Sequence, residues 1–147
     1  MSGTFLLDVS VLVAFLWPKH INHEAVRAWF LQVRTSGWAS CPITELGAVR
    51  VLANPLVSRS ELSVTDAGRR LTALIAEGGH EFWPEGFPMS EIDTLLPYTR
   101  GHNQLTDRYL LALAASRSAM FATLDQSAAS GLPSDSPLRA HLEIVRV

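Results

Sequence analysis

The sequence predicts an α/β domain, a parallel β-sheet covered by helices on both faces. Three observations carry that expectation. Short apolar runs alternate with longer stretches at helical spacing along the whole chain. Proline and glycine stand at the joints between them. At 147 residues and 48% hydrophobic content, the chain is long and apolar enough to bury one proper core.

Residues 5–7 read as a short buried strand. Residues 9–16 continue apolar as a helix that begins at once and ends before Pro18, because proline disfavours the helical conformation in the residue before it. Residues 23–34 carry Ala25, Val26, Trp29, Phe30 and Val33 at helical spacing. Residues 38–41 form a candidate second strand. Pro42 then opens a helix, where its missing N–H forfeits no partner, and that helix runs to about Ala53, short of Pro55. Ser63 or Thr65 caps a helix over 66–77, stopped by Gly78 and Gly79. Residues 81–84 read as a brief edge strand, and 85–104 is the least regular part. Residues 105–117 make the clearest helix, with Thr106 as its cap. Residues 120–124 are a strand, 130–137 a polar turn region and 141–147 a final strand. No internal repeat, low-complexity tract or linker divides the chain, so 1–147 is expected to be a single domain.

Composition narrows the function. The net charge of −2 argues against a protein that coats nucleic acid non-specifically, since such proteins carry a strongly basic face. The apolar run from Val11 to Trp17 is far too short to span a bilayer. No basic segment precedes the first apolar run, and Asp8 interrupts it, which argues against a signal peptide and for the cytoplasm. Cys41 is the single cysteine and reads as a small buried hydrophobe. The five histidines share no ligand spacing, and neither a serine-nucleophile signature nor a glycine-rich phosphate loop is present.

Four acids sit where a parallel β/α unit would present a ligand. Asp8 and Asp125 end strands, while Glu45 and Asp107 fall in the first turns of helices. In such sheets, ligands bind beyond the carboxyl ends of the strands, where the strand order reverses. Carboxylates are hard oxygen ligands suited to Mg²⁺ or Mn²⁺, and acids gathered in one cleft repel each other unless a cation sits between them. That set points to metal-dependent phosphodiester chemistry. Each acid also has a plainer explanation. Asp8 fits a helix cap, Asp107 a favourable charge at a helix N-terminus, and Asp125 the start of a turn. Glu45 lies one place past the capping-box position after Cys41. Ser10 and Thr123, each two residues from an acid, are candidates to orient a carboxylate, or are capping hydroxyls. Trp17, Trp29 and Trp83 fit packing better than base stacking.

Leu6-Leu7-Asp8-Val9-Ser10-Val11-Leu12, Pro42-Ile43-Thr44-Glu45-Leu46, Thr106 through Ala114, and Ala122-Thr123-Leu124-Asp125 resemble the PIN domain in order and spacing. More narrowly, the chain resembles the VapC-type ribonuclease toxins of bacterial toxin–antitoxin pairs. The resemblance implies a doubly wound parallel sheet and an endoribonuclease that depends on Mg²⁺ or Mn²⁺ and is silenced by a cognate VapB-type antitoxin. It implies Asp8 and Asp107 as primary metal ligands, with Glu45 and Asp125 completing the acidic site. Thr106 enters as a supporting hydroxyl. Arg108 departs from the small residue many relatives carry after the third acid, and becomes a candidate contact to the scissile phosphate or a partner for a neighbouring acid. RNA in single-stranded loops is the expected substrate, because its bases and backbone are reachable.

Two other classes compete. A haloacid-dehalogenase-like phosphatase would also use an Asp at this strand end, but it needs a second Asp two residues on, where this chain has Ser10, and a lysine later in the sequence, where the only lysine is Lys19. A catalytically silent PIN-like interaction module would be harmless when expressed alone, whereas a toxin would arrest growth. The high apolar content leads to an expected homodimer, with Trp17, Trp29, Phe30 and Leu56 as residues too apolar to bury comfortably. The antitoxin is expected to lay an apolar helix in a groove walled by residues 11–17 and the helix after Pro42, sending an Arg or Lys into the acids.

Overall fold

The computed structural model describes residues 3–147. Five short strands form one all-parallel sheet: β1 (Phe5–Leu7), β2 (Trp38–Ser40), β3 (His80–Phe82), β4 (Met120–Thr123) and β5 (Leu142–Ile144), in the spatial order β3-β2-β1-β4-β5. The chain winds outward from β1 through β2 to β3, then crosses back to lay β4 and β5 on the other side. The sheet is therefore doubly wound, as the alternating pattern implies.

Successive strand residues point to opposite faces, and each face has its own core. Leu7, Trp38 and Ala122 pack with α1 (Val9–Leu16), α2 (His23–Val33), α3 (Pro42–Leu52) and α5 (Val64–Ala76). Leu6, Ala39 and Phe121 pack on the opposite face with α6 (Leu105–Ser116), Trp83 and Leu132. A single glycine lets α1 and α3 approach. A Cβ on Gly47 would stand 2.5 Å from Cγ2 of Val9, a stiff branched side chain that cannot swing away.

Several boundaries move for local reasons. Helix α3 ends at Leu52 with Ala53 at its cap position, short of Pro55 as expected, but a separate short helix, α4 (Pro55–Ser58), starts there, because the Asn54 side chain accepts from the Leu56 N–H at 3.0 Å. Ser63 caps α5 and Asp66 answers it, so the helix begins at Val64. Strand β3 starts at His80 and ends at Phe82, β2 stops at Ser40, and the final strand contracts to Leu142–Ile144. Segment 85–104 folds as three 3₁₀ turns, Met89–Glu91, Asp93–Tyr98 and His102–Gln104. Helix α6 begins at Leu105 with Gln104 at its cap position, so Thr106 is not the cap. Phe30 is fully buried, and no helix among the described residues is long and apolar enough to cross a membrane.

Candidate active site

The strand order reverses between β1 and β4, so the crevice beyond their carboxyl ends is the place where such a sheet presents chemistry. Asp8 follows β1 directly and is almost wholly buried, at 8% exposure. It is the N-cap of α1, accepting from the Val9 N–H at 2.7 Å through Oδ1. Its other oxygen, Oδ2, accepts from Ser10 Oγ at 2.9 Å and from Thr123 Oγ1 at 2.7 Å. The two hydroxyls in turn receive the N–H groups of Leu124 and Asp125, each at 3.2 Å. Capping and site-building are therefore the same act here. Burial pushes the Asp8 carboxyl above its ordinary range, while the three hydrogen bonds pull it back.

Asp107 rises from the first turn of α6 and is pushed up to about 7, first by burial and then by the negative charge of Asp8 and the nearness of Asp125. Asp125 moves the opposite way. Ser127 gives its Oγ–H to Asp125 Oδ1 at 2.7 Å and its N–H at 2.9 Å, which holds this carboxylate below the usual range. Asp125 does start a turn, but the turn also fixes a charged oxygen next to Asp107. A proton between the two belongs to Asp107.

Glu45 stands one strand over, in the first turn of α3 beyond β2. The capping-box role it narrowly misses is filled by Thr44, whose Oγ1 accepts from the Cys41 N–H at 3.0 Å. Glu45 is instead held by Ser40, which donates Oγ–H to its Oε2 at 2.5 Å. The structure thus gathers Asp8, Asp107 and Asp125 into one electrostatic group, with Glu45 along the same edge in its own hydrogen-bonded setting.

Two sequence-level candidates are corrected. Arg108 does not reach toward a substrate: it is 0% exposed, and its guanidinium donates to the carbonyls of Ala128, Ser130 and Tyr98 and to Gln104 Oε1. It ties α6 to the loop carrying Asp125. Thr106, next to Asp107 in the chain, is exposed. Sequence reasoning missed Gln104, whose Nε2 donates to the Ser127 and Ser130 carbonyls, each at 3.1 Å, while its Oε1 accepts from the Arg100 N–H at 2.7 Å. Its signal was the spacing: Gln104, Arg108 and Leu111 lie four and three residues apart on one buried stripe. Lys19 pairs with Glu61 at 2.7 Å on the surface, so it offers nothing to an aspartyl-phosphatase site.

Among the described residues, no three His, Cys, Asp or Glu side chains close around a metal ion by themselves. Mg²⁺ keeps several waters and is usually bound by one or two carboxylates together with substrate phosphate. The stronger test is the proton shift of Asp107. Carboxylates crowded until one stays protonated near neutral pH are short of positive charge, and a hard divalent cation supplies it. By the chemistry of their donors Asp8, Asp107 and Asp125 suit such an ion, while Glu45 is outside their electrostatic group.

Of the two expected walls of the apolar groove, the helix after Pro42 is present, whereas Val11, Leu12, Val13, Ala14 and Leu16 of α1 are buried and do not line it. The groove lies instead between α3, α4 and the start of α5, a hollow of about 780 Å³ lined by Ile43, Leu46, Val49, Ala53, Pro55 and Val64.

A model of the PIN domain matches residues 5–130. Among curated proteins of Mycobacterium tuberculosis, Ribonuclease VapC38 is 46% identical over 120 residues, covering 82% of this chain and 84% of its own. Ribonuclease VapC44 is 42% identical over 127 residues (84% and 87%), and Ribonuclease VapC39 is 38% identical over 138 (88% and 96%). The doubly wound parallel sheet, the acids at its switch point and these matches agree: the chain belongs to the PIN domain family.

Proposed function

We propose that the whole chain acts as one PIN-domain endoribonuclease, the toxin of a toxin–antitoxin pair, which depends on a divalent metal and cleaves single-stranded or loop regions of RNA. The observation that carries this reading is the grouping of Asp8, Asp107 and Asp125 beyond β1 and β4, close enough to raise Asp107 to about 7. RNA enters through the relatives, which are named ribonucleases.

Asp8 and Asp107 would hold Mg²⁺ or Mn²⁺, with Glu45 and Asp125 completing the acidic edge. A bound ion of this kind lowers the pKa of water and offsets the charge that develops on a phosphate in an in-line displacement. The chain's own residues set the stage. Ser10 and Thr123 fix the rotamer of Asp8, so its lone pairs present one orientation to the crevice. Asp107 holds or releases a proton near neutral pH, while Asp125, braced by Ser127, stays charged beside it. The purified protein is expected to cleave a structured RNA in Mg²⁺ or Mn²⁺, leaving 5′-phosphate and 3′-hydroxyl ends, and to stop on chelation. Sequencing of RNA ends after brief incubation checks both points. Cleavage that survives chelation overturns the metal reading, and a protein that neither cuts RNA nor arrests growth is a silent interaction module.

The partners proposed are a VapB-type antitoxin and a second copy of this chain. Their support is apolar surface: Leu46 is 73% exposed and Leu56 92%, beside the groove of α3 and α5. An antitoxin tail would add an Arg or Lys to the carboxylates, whose shortage of positive charge favours it. Light scattering is expected to give twice the 16.1 kDa chain mass for the protein alone, and a larger, cleavage-silent complex after co-expression with the antitoxin. A monomer at micromolar concentration removes the dimer, and failure to recover a complex removes the regulatory pairing.

A further inference from the structure

Behind Glu45 lies a hydrogen-bonded chain that the acids themselves do not explain. Ser40 ends β2 and is fully buried, a position that requires its hydroxyl to be satisfied. It stands 2.5 Å from Glu45 Oε2 and 2.7 Å from His80 Nε2. A hydroxyl has one proton, and a carboxylate can only accept. Ser40 therefore donates to Glu45, and the remaining contact requires His80 to donate its Nε2–H to Ser40 Oγ. That fixes the imidazole tautomer. The ring is also held from its side, with its centroid 4.4 Å from that of Trp38. β2 and β3 bring this about through register: Trp38 pairs with His80 and Ser40 with Phe82, so Ser40 and His80 are diagonal neighbours on one face. Burial lowers the His80 pKa against the opposing charges of Glu45 and Glu81, which favours the neutral imidazole that this geometry uses.

We propose that Ser40 and His80 are positioning residues: a relay from His80 Nε2–H through Ser40 Oγ–H sets the rotamer of Glu45 and keeps one of its oxygens occupied, leaving the other to face the crevice. The proposal rests on the reading that Glu45 belongs to the active site. The relay makes a specific demand on residue 80, which must be a neutral donor at the place of Nε2. Glutamine can put an amide N–H there, and leucine of similar bulk cannot.

Four variants decide it: Ser40→Ala, His80→Leu, His80→Gln and Glu45→Gln. Each is measured by thermal melting, by Mn²⁺ binding from the free-ion EPR signal, and by single-turnover RNA cleavage. Ser40→Ala and His80→Leu are expected to weaken Mn²⁺ binding and slow cleavage by about 10-fold or more, the usual effect of losing a group that orients a ligand. His80→Gln is expected to restore both to near the unmodified protein, while melting alike to His80→Leu. If His80→Gln loses as much as His80→Leu, the donor is irrelevant and the relay is overturned. If Ser40→Ala and both His80 variants bind and cleave normally while Glu45→Gln does not, the relay again falls and Glu45 keeps its place. If Glu45→Gln itself changes neither readout, the active-site reading of Glu45 fails first. Should Ser40→Ala fail to fold, the His80 pair alone carries the decision.

Discussion

Asp107→Asn is expected to abolish RNA cleavage and at the same time to stabilise the metal-free protein at neutral pH. The two effects share one cause. In the folded protein the Asp107 carboxyl is raised from 3.8 to about 7, so the native state binds a proton more tightly than the unfolded chain does. Below pH 3.8 the carboxyl is protonated in both states and contributes nothing. As the pH climbs toward 7, the unfolded chain ionises freely and the folded one resists, so stability is lost across that window, and the loss is complete above 7. Asparagine has no charge to bury. The shift is shared with Asp8 and Asp125 rather than owned by one group, so the gain at pH 8 is on the order of 1–3 kcal/mol, or several degrees in Tm. At pH 4 it should nearly vanish. Cleavage should fall by roughly 10²–10⁴-fold, as expected when a group acting directly on the reacting centre is removed. Thermal melts in chelator at pH 4 and pH 8, beside single-turnover cleavage, check both halves. An equal Tm gain at both pH values would show that Asp107 is not strained by its neighbours, and an unchanged cleavage rate would remove it from the site. Asp8→Asn makes a useful contrast. It should lose cleavage too, but without the same gain, because the Asp8 carboxylate satisfies three donors that an amide cannot all serve.

Arg108→Leu is expected to be the most destabilising single change in the molecule that leaves the acids untouched. The guanidinium is fully buried and satisfies carbonyls from two separate segments, Tyr98 on one side and Ala128 and Ser130 on the other. Removing it leaves the buried Ala128 carbonyl and, in part, Gln104 Oε1 short of a donor, and unties Tyr98 and Ser130 from α6. Losses of this kind run to about 3–5 kcal/mol, roughly 10 °C in Tm for a chain of this size. Arg108→Lys should recover little, since a point-like ammonium cannot span carbonyls that a planar fork reaches. Urea unfolding measures the loss directly. Amide exchange should localise it to residues 125–132, because that loop hangs from the guanidinium. A variant as stable as the parent but weaker in RNA affinity would instead restore Arg108 to the phosphate role its sequence position suggests.

The contrast between these two residues shows how far the chain can be read before it is folded. Asp8 and Asp125 were legible because a strand end is written as an apolar run that stops, and the sheet rule then says where the next residue points. Helix α1 was legible to its last residue, because Pro18 closes it. Arg108 was misread because its charge beside the third acid suggested a phosphate or carboxylate partner, whereas the decisive fact was its place on a buried stripe with Gln104 and Leu111. Ser40 and His80 escaped altogether. Their meeting depends on the register of β2 against β3, across 40 residues, and no local pattern encodes which rung a parallel strand takes. Thr106 shows the converse error, in which a good capping residue one place inside a helix caps nothing.

The central pairing of β1 with β4 has a consequence for the protein's life as a chain. Thr123 and Asp8 touch across 115 positions, and the same closure delivers Asp125 to Asp8 and Asp107. Such a loop gathers its entropy penalty before any contact rewards it. No fragment ending before β4, and no partly folded form in which β4 has let go, contains the acidic group at all. On the proposed reading, the capacity to cut is thus conditional on the longest-range event in folding: it is absent from every form in which β1 and β4 are not paired, and the loss of that one strand is enough to remove it.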